Sequence, residues 1–454
     1  MSKVISIETI TSLAKRRGFV FQSSEIYGGV SGFYDYGPYG SQLAKNIKDA
    51  WWKYFVEDVP NIFGLDSSII QHPKLWEASG HVAGFNDPMV ECGNCQSRVR
   101  ADHLAGVDST DLQALDELIK EKKCPNCGKS GKFSKARRFN MMLKTYLGPL
   151  EDDNSLAYLR PETAGGIFTN YELVRESARA KIPFGIGQIG KAFRNEISPR
   201  DFIFRVRELE QMEMQYFIDP KNDMEEYENL RKFNMSFLVD KIGLDSKNLK
   251  WHEHGKDELA HYAKTAHDIY FEFPFGSKEL MGTHHRSDHD LKSHMEYSGK
   301  DLRYFEPKTN EHYLPYVMES SVGHGRLFLA VLCDSYTEEE VKGETRVVLK
   351  ISSELAPVDV AILPLSKNEE LSPLAKEVYK LVSSKSRYIA EYDETQSIGK
   401  RYRRQDEIGT PHCVTVDFDS LEDKSVTIRD RDSMKQERVP IDNIIDYIDK
   451  QRAS

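Results

Sequence analysis

The segment Phe193-Arg194-Asn195-Glu196 sets an arginine and a glutamate two residues apart, and the run from Phe204 to Tyr216 supplies more of both. Short period-2 runs around the polar turn Ile197-Ser198-Pro199-Arg200-Asp201 predict an antiparallel strand pair between Pro183 and Phe217, joined by a long loop. Residues two apart in a strand share a face, so Arg194 and Glu196 are expected to point the same way. On the returning strand Arg205, Arg207, Leu209, Gln211 and Glu213 share one face, and Glu208, Glu210, Met212, Met214 and Tyr216 share the other. Arginine's planar fork suits phosphate oxygens, and a carboxylate suits an ammonium or an exocyclic amine. Together they would hold a nucleoside triphosphate beside an amino acid. Taken in isolation, arginines and glutamates more often form a solvated, ion-paired strand.

A third piece, Glu319-Ser320-Ser321-Val322-Gly323-His324-Gly325-Arg326, reads as a strand end, a glycine turn and a helix start. Glu319 and Ser321 share a face, and Gly323 and Gly325 let the backbone approach a ligand while Arg326 projects from the first helical turn. Cys92, Cys95, Cys124 and Cys127 form two C-x2-C pairs separated by 28 residues, with Pro125 and Gly128 shaping the second knuckle. Four thiolates at that spacing predict a closed, structural tetrahedral zinc site. Cys333 and Cys413 are expected to be plain core residues. The cluster His284-His285-Arg286-Ser287-Asp288-His289-Asp290 matches no standard metal spacing.

The elements that must position these residues follow from pattern. Leu43, Ile47, Trp51 and Tyr54/Phe55 recur at the spacing of one helix face, so a long amphipathic helix is expected from about Gly40. Residues 91–137 read as an inserted metal-bound module, and residues 219–267 as a helical insertion followed by the strand-like Ile269-Tyr270-Phe271-Glu272-Phe273. The core ends near residue 350. From 355 to 454, strand-like Val358 to Leu363, helical Leu374 to Val382 and strand-like Cys413 to Phe418 alternate as in a small α/β domain.

At 454 residues two or three domains are expected, and 39% hydrophobic with 30% charged residues is ordinary globular composition. No apolar run approaches the roughly 20 residues that span a bilayer. Met1 to Gly18 lacks the pattern of a secretory signal, so a cytoplasmic location is expected. A net charge of −10 argues against nonspecific coating of nucleic acid. It leaves room for a local basic strip that holds RNA, for which Lys400-Arg401-Tyr402-Arg403-Arg404 is the candidate; a solvated charged face fits the same residues.

Over nearly its whole length the sequence resembles the class II aminoacyl-tRNA synthetases, and among them the dimeric glycyl-tRNA synthetases. The resemblance is carried by Trp76-Glu77-Ala78-Ser79-Gly80-His81, Leu159-Arg160-Pro161-Glu162-Thr163-Ala164, Gly187 to Glu196, Phe204-Arg205-Val206-Arg207-Glu208 and Gly399 to Thr410. It implies an α+β fold: a six-stranded antiparallel sheet flanked by helices, with the helix after Gly40 at a homodimer interface and residues 355–454 binding the anticodon of tRNA(Gly). It also implies ATP-dependent activation of glycine to glycyl-adenylate and transfer to the tRNA 3′ end.

By resemblance, ATP would lie along Arg194-Asn195-Glu196, Phe204-Arg205-Val206-Arg207-Glu208-Leu209, Glu279-Leu280 and Gly323-His324-Gly325-Arg326. Arg194 would grip the α-phosphate, Glu196 the adenine amine, Arg205 or Arg207 the outer phosphates and Arg326 the γ-phosphate, with Glu279 helping to hold Mg2+. Glycine would lie against Leu209-Glu210-Gln211-Met212-Glu213 and Glu319-Ser320-Ser321-Val322-Gly323. Glu162, Glu213 and Glu319 would surround its ammonium, Ser321 would close the side-chain space, and Arg100 and Arg286 would contribute. Strand parity favours Glu213 over Glu210.

The sequence departs from the family pattern at Leu209, where many relatives carry a Phe that stacks on adenine, and at Ser320 and Gly325, where Pro and an acidic residue are usual. The remaining readings are a synthetase of a related subclass, a silent paralogue that reuses the fold, and a zinc-ribbon RNA-binding protein. The last accounts for only about 45 residues.

Overall fold

The computed structural model describes residues 5–107, 109–255, 263–385 and 387–453. Its centre is a seven-stranded sheet of Ile62–Gly64 (β1), Phe184–Phe193 (β2), Glu208–Ile218 (β3), Leu249–Glu253 (β4), Thr265–Phe273 (β5), Gly276–Ser287 (β6) and Tyr316–Gly323 (β7). The spatial order is β4-β5-β6-β7-β3-β2-β1. Six strands are antiparallel, as the resemblance implies; the short β1 adds a parallel seventh beside β2.

Strand alternation divides this sheet into two chemically different faces. Met212, Met214, Met318 and Val322 are buried in one large apolar cluster with the helices Pro38–Trp52 (α1) and His324–Ser335 (α3). Glu213, Gln215 and Glu319, on the opposite parity, face the cleft described below. The expected long helix is α1: Leu43, Ile47 and Trp51 are fully buried, and Phe55 continues the stripe through a π-turn over Lys53–Glu57. Gly40 is required in its first turn, because a Cβ there would lie 1.7 Å from the carbonyl oxygen of Phe19.

Residues 219–267, expected to be a helical insertion, contribute both a helix and a strand. Asp223–Ser236 (α2) buries Tyr227, Leu230 and Asn234, whereas Leu249–Glu253 joins the main sheet as its edge; the part of that stretch at 256–262 lies outside the described residues. The cysteine-bearing stretch forms its own small unit, with strands Asn86–Glu91, Arg98–Arg100 and Arg137–Asn140 and a minor core of Val90, Ala101, Ala105, Leu115 and Ile119.

Beyond Val360 a five-stranded sheet packs Val360, Ile362, Val414 and Val416 against Val378, Val382, Ile444 and Ile448. The candidate basic strip falls on the helix Ile398–Ile408, and helical periodicity splits it. Arg401 is fully buried and donates to the carbonyls of Pro364 and Asp393; Arg404 pairs with Asp393; Lys400 is exposed. It is therefore not one continuous cationic surface.

The two larger units are joined by buried charges. Arg346, fully buried on the strand Glu344–Leu349, donates twice to Asp406 at 2.8 Å, and Arg429 donates to the same carboxylate at 2.9 Å. Removing that carboxylate would leave two buried guanidinium groups facing each other. Asp406→Ala should therefore cost about 3–5 kcal/mol and separate the thermal unfolding of residues 360–453 from that of the rest, as read by calorimetry. A single unshifted transition would contradict this role.

Candidate active site

The cleft opens on the polar face of β3, β6 and β7, and the strand register explains which side chains meet there. Glu213 lies opposite Ser321, Ser321 opposite Gly282 and Gly282 opposite Asp268; in the next row Gln215 lies opposite Glu319 and Glu319 opposite His284. Gln188 of β2 lies opposite Glu213 on the other side and donates to the Thr163 carbonyl. Gly190 is needed nearby, because a Cβ would come 2.1 Å from the Arg160 guanidinium that crosses it.

At the deep end three glutamates converge. Glu319 accepts from Arg286 at 2.9 Å, from His284 Nδ1 at 2.7 Å and from Gln215 at 2.9 Å. Glu213 accepts from Gln215 at 2.6 Å and from the Thr163 hydroxyl. Glu162 lies 3.4 Å from the His81 ring. Arg286 also clamps Asp290 with two bonds at 2.8 Å, and Asp268 bonds both His254 and His284.

Burial opposes ionisation of all three carboxyls, and the neighbours decide the outcome. Arg286 and His284 outweigh it at Glu319 and hold that carboxyl well below its ordinary range. His81, with help from Arg286, brings Glu162 down to about 2. Glu213 bonds no cation, and the charge of Arg286 offsets only part of what opposes its ionisation. Burial, then the charges of Glu319 and Glu162, push it well above its ordinary value. Burial also disfavours a charged His284, but Asp268 and Glu319 prevail and raise it to about 10. Of the three deep carboxyls, Glu213 is therefore the one that resists ionisation, and a further positive charge would favour its charged form.

The outer end carries the arginines. Arg194 lines the cleft with its Nε on the Pro161 carbonyl at 3.1 Å, and Glu196 accepts from Arg205 at 2.7 Å. Arg194 and Glu196 lie just past the end of β2 rather than within it, yet both reach the wall. Arg326 stands 4.5 Å over the Phe204 ring and 3.0 Å from Glu279. Val206, Glu208, Leu209, Gln211, Ser321, Val322, Gly323 and Gly325 complete the lining on this side.

Several sequence-selected residues lie off the wall or turn from it. Arg207 donates to the carbonyls of Glu196 and Ser31, so Arg205 is the loop arginine that faces the cleft. Met212 and Leu280 are buried in the apolar cluster, Ser320 donates to Asn234, and His324 is buried beside the Tyr36 ring. Glu210 pairs with Lys48 of α1 at 3.2 Å, although it also borders the cleft. Asn195 is held by its backbone on the Met141 carbonyl. Arg100 pairs with Asp87 at 2.8 Å and with Asp102, beside Arg205 rather than among the glutamates.

Sequence reasoning missed His81, Thr163, Gln215, Asp268 and His284 as members of the network. Gln215 shares the parity of Glu213 and could have been found from it; Asp268 required the pairing of β5 with β6. In the cysteine unit, the Sγ atoms of Cys92 and Cys127 are 3.9 Å apart and those of Cys95 and Cys124 3.8 Å apart, with all four within 4.8 Å. Four thiolates at about 2.3 Å from one ion would stand about 3.8 Å from each other, so the cluster fits a metal such as zinc.

Two family models match the chain: the tRNA synthetase class II core domain (G, H, P, S and T) over residues 149–336, and the anticodon binding domain over residues 359–451. The chain is 52% identical to the glycine–tRNA ligase of Treponema denticola, across 98% of this chain and 96% of that one. It is 50% identical to the glycine–tRNA ligase of Clostridium acetobutylicum, across 98% of each. Among solved structures, prolyl-tRNA synthetase from Cryptosporidium parvum superposes with a TM-score of 0.67 at 14% identity, covering all of this chain and 78% of that one. That likeness is one of fold.

The state of Glu213 predicts a stability signature. With its folded-state value raised, the native protein holds this proton more tightly than the unfolded chain, so stability is full at low pH and is lost as pH rises through the folded value. Glu213→Gln should melt above wild type near pH 8, with the gap closing toward about pH 5. A melting temperature that is lower than wild type at every pH would contradict the upward shift at Glu213.

Proposed function

The chain belongs to the glycine–tRNA ligases, class II synthetases that consume ATP to load glycine onto tRNA, and from that premise we propose roles for the side chains of its cleft. The observation that carries the assignment is the polarity of the cleft: three glutamates at the deep end, three arginines at the mouth. Glycine enters with its ammonium among Glu162, Glu213 and Glu319 and its carboxylate toward the arginines. The ammonium supplies the charge that lets Glu213 ionise. Ser321, between Glu213 and the bare Gly282, leaves no room for a side chain, and steric rejection suffices because every competitor is larger.

Arg194 binds the α-phosphate, Glu196 the adenine amine, Arg205 the outer phosphates and Arg326 the γ-phosphate, braced from behind by Phe204. Leu209 lies against the adenine. The glycine carboxylate attacks the α-phosphorus in line, forming glycyl-adenylate as pyrophosphate leaves. The terminal hydroxyl of tRNA(Gly) then attacks the glycyl carbonyl and AMP leaves. No protein nucleophile is needed; the side chains orient the reactants and neutralise phosphate charge. Glu279 offers a hard carboxylate oxygen on the wall, which suits Mg2+. When bound, that ion neutralises charge on the pyrophosphate.

The four cysteines hold a structural Zn2+. Residues 1–350 act as the catalytic domain, with the insertions at 91–137 and 219–267, and residues 355–454 read the anticodon. The protein works in the cytoplasm as a homodimer. None of the described helices is long and apolar enough to cross a membrane. The inward stripe of α1 is used within its own chain, so the dimer contact falls on its outward side.

Amino-acid-dependent exchange of labelled pyrophosphate into ATP, run with each of the twenty amino acids, should proceed with glycine alone, and Glu213→Gln should reduce it by about 100-fold. Exchange with another amino acid, or undiminished exchange by the variant, would refute the pocket. Metal analysis should find about one zinc per chain and a loss of most of it in Cys92→Ser; a metal-free wild-type protein that is fully active would remove zinc from the account.

A further inference from the structure

Glu196 and Arg205 are tied to each other at 2.7 Å, although the proposed roles turn each toward the nucleotide. An adenine amine can replace the guanidinium on Glu196. The guanidinium, once released, has the phosphates in front of it and needs an anion behind it to stay in place. One is waiting there. Asp87 is 6% exposed, and its Oδ2 has no hydrogen-bond partner among the described residues; Arg205 Nη2 stands 3.9 Å from it, just beyond bonding distance. Its other oxygen is occupied by Arg100 at 2.8 Å. A buried carboxylate oxygen is seldom left unsatisfied, and here the gap to a good bond is about 1 Å.

Asp87 is fixed from outside the catalytic sheet. It sits on the strand Asn86–Glu91, which runs directly into Cys92 and pairs with Arg98–Arg100, the strand that follows Cys95. Arg100 is in turn clamped by two bonds to Asp102. The four-cysteine unit thus presents one rigid carboxylate to a loop that spans residues 194–207.

We propose that Asp87 is a positioning residue for ATP: as the nucleotide binds, Arg205 exchanges Glu196 for Asp87 Oδ2, so that the cysteine unit holds the arginine from behind while its free edge meets phosphate. The proposal rests on the assignment of Glu196 and Arg205 to ATP. It gives the cysteine unit a link to the reaction through geometry alone.

Pyrophosphate exchange with the full-length, zinc-loaded protein tests it. Asp87→Asn should raise KM for ATP about tenfold while KM for glycine and kcat stay within about twofold, and Asp87→Glu should recover most of the loss. In an Arg205→Ala background Asp87→Asn should add nothing further. In a variant that keeps its zinc, a purely structural role for Asp87 would affect both substrates alike, and a fully additive double variant would likewise overturn the exchange. If Arg205→Ala and Glu196→Gln themselves leave KM for ATP at the wild-type value, the nucleotide assignment fails instead. Should Asp87→Asn lose its zinc, a crystal structure of the wild-type protein with a non-hydrolysable ATP analogue decides the matter. Arg205 within about 3 Å of Asp87 supports the exchange, and Arg205 still on Glu196 and distant from Asp87 overturns it.

Discussion

Three carboxylates gathered at the closed end of a cleft are the constraint on which the rest of this structure depends. Left to themselves they would repel one another and resist burial. The molecule answers with Arg286 and His284 on Glu319 and His81 on Glu162, and leaves Glu213 bonded to no cation. In the roles proposed above, the ammonium of glycine fills that deficit of one positive charge. Each compensating cation is itself anchored, Arg286 by Asp290 and His284 by Asp268, so the network reaches over β5, β6 and the helix His289–Ser298 before it closes. A change at any of these positions reaches the substrate pocket without touching substrate.

The antiparallel sheet makes such a network affordable because it separates environments at a spacing of one residue. Along β3, Met212 and Met214 pack against the helices while Gln211, Glu213 and Gln215 face the cleft. Burying the apolar face supplies the stabilisation, roughly 25 cal/mol for each Å² removed from water, that offsets holding the polar rows rigid. Register does the fine placement. Glu213, Ser321 and Gly282 stand side by side on three strands, so the size of the pocket is set by hydrogen-bond pairing rather than by loop conformation.

The peripheral units connect to this centre by charge. Arg346, Asp406 and Arg429 join the C-terminal unit to the strands that follow α3. Arg100 and Asp87 bring the cysteine unit against Arg205. The first link is buried and hydrogen-bonded, whereas in the second Arg205 stands 3.9 Å from Asp87. In each, the pieces are held at fixed distances from the cleft, which a reaction that depends on positioning requires.

Local pattern and chemistry made a good part of this legible in the sequence. The period-2 run of β3 assigned Glu213 inward and Glu210 outward; Glu210 bonds Lys48 of α1 and also borders the cleft. The spacing of Leu43, Ile47, Trp51 and Phe55 located α1, and two C-x2-C pairs located a four-sulfur cluster. Those signals depend only on neighbours in the chain, and the long family motifs supplied the reaction. What the sequence left open needed partners distant along it. Arg205 and Arg207 were expected on one strand face, but both precede β3 in the loop, and the bonds of Arg207 to the Glu196 and Ser31 carbonyls leave Arg205 to the cleft. Leu249–Glu253 lies in a charged, helix-rich stretch and becomes an edge strand because β5 offers it a pairing partner. Lys400 to Arg404 reads as one basic strip, but the helix turns Arg401 into the core, where backbone carbonyls satisfy it. Residue type and spacing decided which chemistry was present; long-range pairing and burial decided which of those groups meet, and in which charge state.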